Sequence, residues 1–217
     1  DALGWGGGYF SDPLDINNTY PNPPDMWVAV PDYAYDETAD MGYLNVTFSS
    51  WTDRNKYLFH SNNISSGYVT WDNARKILDV AEYFQGDAET NYTSDIGVAV
   101  NDNGVGYVAA TAYWDTTGFE EELSGAQYHT FVIRKTEDYG ATWSEDSFID
   151  GLPYYFIPDS VLDNAIFDTH IPRIYRDTTE TDTTEIEFES LFIGYDNEVV
   201  VDADGGLHLM CLVIPSA

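Results

Sequence analysis

The chain has 217 residues, of which 43% are apolar and 16% aromatic, and its 38 acidic residues outnumber 8 basic ones to give a net charge of −30. This apolar content is too high for a disordered chain, and the length is sufficient for a sizeable core. The charge argues against binding to nucleic acid, because an acidic surface repels phosphates, and no apolar run is long enough to cross a membrane. We therefore expect neither nucleic-acid binding nor direct membrane insertion.

The first recognisable feature along the chain is a repeat that follows an N-terminal lead, residues 1–24. Segments 25–32 and 95–102 agree at five of eight positions, and a third copy begins near residue 196. We therefore assign residues 25–217 to one repeat-built segment, with a polar insertion at 33–41 in the first copy.

Each copy continues into a second strand, and in the second and third copies a glycine turn precedes it. Asn103-Gly104 and Asp204-Gly205 lie between apolar runs, a pattern that favours β-hairpins. Third strands are predicted at 56–60 and 130–134. A degenerate hairpin clasp is predicted at 61–71, where Trp71 corresponds to Trp143.

The segment after Trp71 allows two interpretations. Residues 73–84 have the pattern of a short helix, for which Asn73 is a suitable N-cap. A fourth strand of the same sheet is the alternative for this stretch. Helical periodicity is nearly absent elsewhere, so the fold class predicted is all-β.

The most informative motif lies at residues 136–143, which read Thr-Glu-Asp-Tyr-Gly-Ala-Thr-Trp. Glycine permits a turn with positive φ, the aspartate can accept hydrogen bonds from amides further along, and the tryptophan buries a large ring. The motif resembles the Asp-box, or bacterial neuraminidase repeat, at every defining position. These positions are Thr136, Asp138, Gly140, Thr142 and Trp143. The resemblance implies β-propeller-type blades of antiparallel strands, with the motif as a structural clasp between a third and a fourth strand.

Residues 152–195 are an insertion relative to the second copy, and insertions in repeat proteins often carry the binding face. The candidate ligand-binding residues in it are Tyr154, Tyr155, Arg173, Tyr175 and Arg176. Two other interpretations remain open. The aromatic residues could cover the core, and the two arginines could pair with neighbouring carboxylates.

Asp202 and Asp204 precede a turn glycine and are candidate calcium ligands, since Ca²⁺ prefers oxygen ligands at alternate positions. No glutamate completes an EF-hand loop, so a plain hairpin turn is the alternative. Apart from calcium, no cofactor is expected. Cys211, the only cysteine, lies in an apolar strand and is predicted to be a small core residue.

The Asp-box family includes sialidases, and this gives the alternative function. Their activity uses three arginines that bind the substrate carboxylate, a tyrosine nucleophile activated by a glutamate, and an aspartate as acid/base. The first arginine lies in a Phe/Tyr-Arg-Ile-Pro motif, which is absent here; the nearest segment, 170–176, has another order. No catalytic residue can be assigned from this comparison.

The sequence thus predicts an all-β, propeller-type segment with a non-catalytic role in recognition or structural display, secreted or at the cell surface. Its expected partner is a glycan or a protein. The alternative is a fragment of a sialidase-type glycoside hydrolase of the exo-acting kind. Because the third copy stops after two strands, we also expect the remainder of a longer polypeptide to accompany it.

Overall fold

The computed structural model describes residues 26–50, 55–65, 68–72, 74–79, 96–113, 129–144, 154–167, 169–179, 182–188 and 190–216. Within these ranges the chain is all-β, with antiparallel sheets, as the sequence predicted. The N-terminal lead lies outside the described residues. Among the residues that are described, no helix has the length and apolar character needed to cross a bilayer.

Sheet I contains the first five strands. They are β1 (Met26–Asp36), β2 (Met41–Ser50), β3 (Lys56–Ser65), β4 (Tyr68–Trp71) and β5 (Arg75–Leu78). The first four follow one another as an antiparallel meander, and β5 pairs with the other half of β3. β4 and β5 therefore act together as an interrupted fourth strand.

Three sequence interpretations of this region need correction. The polar insertion at 33–41 is mostly a strand extension, because β1 and β2 stay paired up to Asp36 and Met41. Residues 61–65 belong to β3 and form an ordinary hairpin with β4 instead of a clasp turn. Of the two interpretations of 73–84, the helix is wrong over 75–78 and the strand is confirmed there, with Ile77 and Leu78 buried; residue 73 and the stretch from residue 80 on lie outside the described residues. Pairing with β3 and the burial of Ile77 and Leu78 outweigh the weak helical pattern.

Sheet II contains four strands in sequence order. They are β6 (Gly97–Val100), β7 (Gly106–Tyr113), β8 (His129–Thr136) and β9 (Tyr155–Phe156). The clasp at 136–143 follows β8 directly. Beyond it, the Ser144 amide donates to the Lys135 carbonyl at 2.7 Å, just as Asp72 donates to His60 at 2.9 Å in sheet I. Trp143 and Trp71 thus hold the same place, one residue before the closing bond of their hairpins.

The remainder of the fold includes sheet III, a ribbon and a helix. Sheet III consists of β12 (Ser190–Val201) and β13 (Leu207–Ser216). The ribbon consists of β10 (Ile174–Thr178) and β11 (Thr183–Glu187), and helix α1 spans Asp159–Ile166. Strands β10 and β11 and helix α1 all fall in the insertion at 152–195.

The sheets pack face to face, with sheet II in the middle. One face of sheet II contributes Val98, Val108 and Val132 to a core cluster shared with Leu58 and Leu78 of sheet I. The opposite face contributes Ala99, Ala109, Phe131 and Ile133 to a second cluster, shared with Ile193 and Val199 of sheet III. Burial of apolar side chains on both faces of one sheet is what holds the three sheets together.

Polar bonds fix how the sheets are aligned. Between sheets I and II, the Val100 amide donates to the Asp32 carboxylate at 2.7 Å and the Tyr35 amide to the Asp102 carboxylate at 2.9 Å. Between sheets II and III, the Asn101 side chain donates to the Asp202 carbonyl at 2.8 Å. Between sheets I and II these bonds join β1 to the end of β6 and the turn that follows it, whereas between sheets II and III they join one turn to the other.

Candidate functional site

The clasp is held by a network around Asp138. Its carboxylate accepts hydrogen bonds from the Thr136 hydroxyl (2.8 Å), the Thr142 amide (2.7 Å) and the Thr142 hydroxyl (2.6 Å). The Thr136 hydroxyl oxygen in turn accepts the Gly140 amide at 3.0 Å. Burial opposes ionisation of Asp138, but these hydrogen bonds outweigh it and lower the pKa of Asp138 below its usual 3.8. The residues that define the motif therefore close one turn.

Backbone conformation and ring packing complete the clasp. Tyr139 and Gly140 both have positive φ, 61° and 95°. The chain thereby reverses, and the Trp143 indole N–H donates back to the Gly140 carbonyl at 3.1 Å. The Trp143 ring is buried in the cluster between sheets I and II. The motif thus contributes to the core as well as to a turn.

Sheet I provides a matching receptor for the clasp. The Asn45 amide nitrogen donates to the Tyr139 carbonyl at 2.9 Å, so its oxygen accepts from Nδ1 of His60 at 3.0 Å. The Tyr43 ring stacks on the Tyr139 ring at a centroid distance of 4.7 Å. Both Asn45 and His60 are buried. The clasp therefore lies between sheets I and II, and we call its contact with Tyr43, Asn45 and His60 the joint.

Two arginines anchor the clasp backbone from either side. Arg75 of β5 donates to the carbonyls of Gly140 and Ala141. Arg134 of β8 donates to three carbonyls, those of Ser144 (3.1 Å), Trp143 (3.2 Å) and Ile77 (2.9 Å). Because a planar guanidinium carries five N–H donors, each arginine can bridge several carbonyls at once.

We expect the joint to be sensitive to acid, because it contains a buried histidine. Burial, reinforced by the positive charge of Arg75, lowers the pKa of His60 below 6.5, although Asp72 and Asp138 oppose the shift. The tautomer is also fixed, since the Asn45 oxygen requires an N–H at Nδ1. The site therefore favours the neutral imidazole of His60, because a protonated ring would place a second positive charge beside Arg75.

We expect His60→Asn to flatten the dependence of stability on pH. The amide keeps a donor near the Nδ1 position but cannot titrate. In the wild type, the contribution of His60 is complete above about pH 6.5 and is lost as the pH falls through the lowered pKa of the folded state. Urea unfolding at a series of pH values between about 7 and 5 measures the slope. His170→Asn, at an exposed position, is the matched variant, and an equal flattening there would contradict the assignment to His60.

The candidate ligand-binding residues of the insertion are not brought together. Tyr154 is fully buried in the cluster between sheets I and II, so it is core and not a ligand platform. Tyr155, the next residue, points to the opposite face because side chains alternate along a strand. Tyr175 is exposed on the ribbon.

The two arginines of the insertion are paired, as the alternative interpretation proposed. Arg173 lies 3.9 Å from Asp163, donates to the Phe188 carbonyl at 3.2 Å and covers the Phe167 ring. Arg176 forms an exposed ion pair with Glu185 on the ribbon. The contacts of Arg173 join helix α1 to the ends of the ribbon, whereas the Arg176 pair lies within the ribbon.

The calcium candidates lie in a hairpin turn. The Asp202 carboxylate accepts the amides of Asp204 (3.0 Å) and Gly206 (2.7 Å) and contacts Nε2 of His208 at 2.8 Å. Asp204 is exposed. Across the described ranges, no group of three or more His, Cys, Asp or Glu side chains is placed to hold a metal ion.

Cys211 is exposed, so the prediction that it is a core residue is wrong. By the alternation of side chains along β13, Cys211 lies on the same face as Leu209 and Val213, which pack on the second cluster, but its own side chain is left exposed. Cys211 pairs with Asn197, at the point where the register between β12 and β13 shifts.

A groove of about 540 Å³ lies where sheet II, helix α1 and the start of β13 meet. Its lining is almost wholly apolar: Tyr107, Ile133, Lys135, Tyr155, Phe156, Ile157, Pro158, Val161 and Leu207. Of the five candidate ligand-binding residues, Tyr155 alone is among them. The Lys135 ammonium, the one charged group among these lining residues, is paired with Glu137. The size is that of a ligand pocket.

Sequence reasoning missed the receptor of the clasp and most of the groove. No motif pointed to the clasp contacts of Asn45 and Arg75, which join residues 65 to 94 positions apart, or to His60, which acts through Asn45. Their one available signal was polarity at positions expected to be buried within strands.

Comparison with models of known protein families and with curated protein sequences gives no match for this chain. The resemblance to the Asp-box therefore rests on residues 136–143 and the geometry they adopt.

Proposed function

We propose that the chain is a non-catalytic recognition module of the extracellular space or cell surface, built from sheets stacked like propeller blades, which binds a protein segment in the groove beside Tyr155. One observation carries the proposal: an open, apolar groove of ligand size between a sheet and a helix. Apolar side chains of a partner would be buried there at a gain of about 25 cal/mol per Å². A glycan would find few polar groups among the lining residues, so a protein partner is favoured.

The stacking supports the propeller-type part of the proposal. Sheets I and II are antiparallel meanders joined face to face, and the first strand of each sheet lies beside that of the next. The clasp joins a third strand to a fourth, which is the place that the Asp-box has in propeller blades.

The environment of the arginines supports the absence of catalysis. Sialidase-type chemistry requires three arginines directed at one substrate carboxylate. Among the arginines that the structure describes, Arg75 and Arg134 hold the clasp, and Arg173 and Arg176 hold the insertion. Each of these guanidinium groups is bound to another part of the chain.

We expect the uncharged fluorescent probe N-phenyl-1-naphthylamine to bind in the groove, and Val161→Trp to weaken this binding by at least about tenfold. Val161 is exposed on helix α1, so a larger ring can extend into the groove without disturbing the core. The enhancement of probe emission on titration measures the affinity.

The matched control is Ile174→Trp, a similar substitution at an exposed position on the ribbon. Unchanged probe binding in Val161→Trp, or an equal loss in Ile174→Trp, would refute the groove as the site. Binding to a glycan array that persists in Val161→Trp would instead assign recognition to another surface. Turnover of a fluorogenic sialoside would contradict the non-catalytic proposal.

A further inference from the structure

The turn between β6 and β7 contains Asn103-Gly104, the one Asn-Gly pair in the sequence. Asparagine before glycine is chemically labile, because glycine has no side chain to hinder attack of its backbone nitrogen on the asparagine side-chain amide. Asn103 is exposed to water, and Gly104 has a φ of 82°. In an unfolded chain of this sequence, the side-chain amide of Asn103 would therefore be lost readily.

The folded turn engages both groups that have to react. The Gly104 amide donates to the Asn101 carbonyl at 3.0 Å. The Asn103 side-chain amide donates to the Ala203 carbonyl of sheet III at 2.9 Å. The Gly104 nitrogen must give up its proton to attack, and the Asn103 side chain must leave Ala203 to be attacked. Both hydrogen bonds therefore oppose the reaction in the folded chain.

The bond from Asn103 to Ala203 is one of three that join this turn and its strand to the β12–β13 turn. The Asn101 side chain donates to the Asp202 carbonyl at 2.8 Å, and the Tyr107 hydroxyl donates to the Gly205 carbonyl at 3.1 Å. All three donors belong to sheet II and all three acceptors to sheet III. The protection of Asn103 therefore depends on the contact between the two sheets.

Apolar packing below the turns maintains the same contact. Val199 of β12 is buried in the second cluster and lies so close to Gly97 of β6 that a Cβ added there would be 2.5 Å from Val199 Cγ2. A sheet held by a few side-chain bonds and one apolar face opens locally more often than the whole chain unfolds. Each such opening frees the Asn103 side chain.

We propose that Asn103 is a site of spontaneous deamidation whose rate is set by the docking of sheet III on sheet II. When sheet III lifts, the Gly104 nitrogen attacks Cγ of Asn103 and a bond forms between them. The Cγ–Nδ2 bond breaks, and ammonia leaves with the proton of the Gly104 amide. Water then opens the cyclic imide at one of its two carbonyls, which gives aspartate or isoaspartate. The inference is independent of the groove and of its ligand.

The product does not restore the docked turn. A carboxylate at position 103 has no proton to donate to the Ala203 carbonyl, and it adds a negative charge beside a turn that already carries Asp204. Isoaspartate also inserts a methylene group into the main chain, within the turn that the Asn101 amide closes on the Val105 carbonyl. Deamidation is therefore a one-way change that leaves sheet III less firmly held.

The test follows deamidation of the whole chain by mass spectrometry. Samples are incubated at mildly alkaline pH and digested with pepsin in acid, where the reaction is slow. The peptide that carries residue 103 is then examined for the mass increase of amide to acid, and fragmentation distinguishes isoaspartate from aspartate. A free peptide with the sequence of residues 99–107 is the unprotected reference. We expect the folded chain to react at least about tenfold more slowly than this peptide.

Val199→Ala is expected to speed the reaction by about fivefold or more, because it removes packing of sheet III and leaves the turn around Asn103 unchanged. Val200→Ala is the matched control, the same change at the neighbouring exposed position, and should react at the wild-type rate. Tyr107→Phe removes only the hydroxyl bonded to Gly205, and its acceleration decides the matter if Val199→Ala does not fold.

Three results would overturn the proposal. The first is a folded chain that reacts as fast as the free peptide. The second is equal rates in Val199→Ala and Val200→Ala, or, if Val199→Ala does not fold, a wild-type rate in Tyr107→Phe. The third is a rate that rises in urea only with global unfolding, since local opening should raise it at lower urea concentrations.

The consequence for the product is tested with two variants at the same position. Asn103→Asp and Asn103→Ala both lack the donor to the Ala203 carbonyl, and only the aspartate adds a charge. We therefore expect Asn103→Asp to have the lower urea midpoint of the two. A midpoint equal to that of wild type in both variants would show that deamidation leaves sheet III as firmly held as before.

Discussion

Replacing Gly140 with alanine is expected to lower the free energy of unfolding by about 3 kcal/mol, which for a chain of this size is a fall in Tm of about 10 °C. Two effects add. An L-residue at φ 95° is strained by about 1–2 kcal/mol. In addition, the new Cβ would lie 2.1 Å from the Asn45 side-chain oxygen, which is buried and bonded to His60. Displacing Asn45 breaks its bonds to His60 and Tyr139, at about 1 kcal/mol each. Thermal unfolding followed by tryptophan fluorescence measures the change.

Gly205→Ala is the matched control for this prediction. Gly205 has nearly the same conformation, with φ 85°, but its added Cβ would meet Val105 Cγ1 at 3.1 Å, the end of a side chain that can shift. We expect a loss of about 1–2 kcal/mol from backbone strain alone. Equal losses in the two variants would show that the receptor around Asn45 contributes nothing.

Replacing Arg134 with methionine is expected to cost about 2 to 3 kcal/mol. Methionine has a similar length and keeps the apolar packing of the stem, but the carbonyls of Ile77, Trp143 and Ser144 lose their common donor. The group is only half-buried, so water compensates in part and the cost stays below that of three fully buried bonds. Urea unfolding should show a lower midpoint with an unchanged m-value.

Arg176→Met is the control that separates the loss of the three hydrogen bonds of Arg134 from the loss of a positive charge in general. Arg176 forms an exposed pair with Glu185 on the ribbon, and such pairs contribute about 0.5 kcal/mol or less. Arg134→Lys is a further variant, in which one ammonium replaces the fork and should recover only part of the loss. If Arg134→Met lowers the free energy of unfolding no more than Arg176→Met does, the hydrogen bonds of Arg134 do not stabilise the fold.

The sequence predicted those elements well whose formation depends on residues close together along the chain. Asn-Gly and Asp-Gly placed two hairpins because glycine alone adopts positive φ at little cost, and the clasp closed around Asp138 as its threonines required. The signal was ambiguous at 73–84, where a weak helical pattern competed with a fourth strand, and pairing to β3 decided for the strand at 75–78. It failed at Cys211, where an apolar strand was taken for a fully covered one.

The sequence by itself determined the all-β class, the hairpin turns and the internal closure of the clasp, because each depends on residues within about ten positions of one another. The tertiary structure decided what these elements contact. It placed Asn45, His60 and Arg75 around the clasp. It also buried Tyr154, directly before β9, in the core between sheets I and II and opened Tyr155 of β9 to a groove on the opposite face. The physical reason is that packing of one sheet on another depends on which face each strand presents and on which strands are present to cover it. No local pattern carries that information.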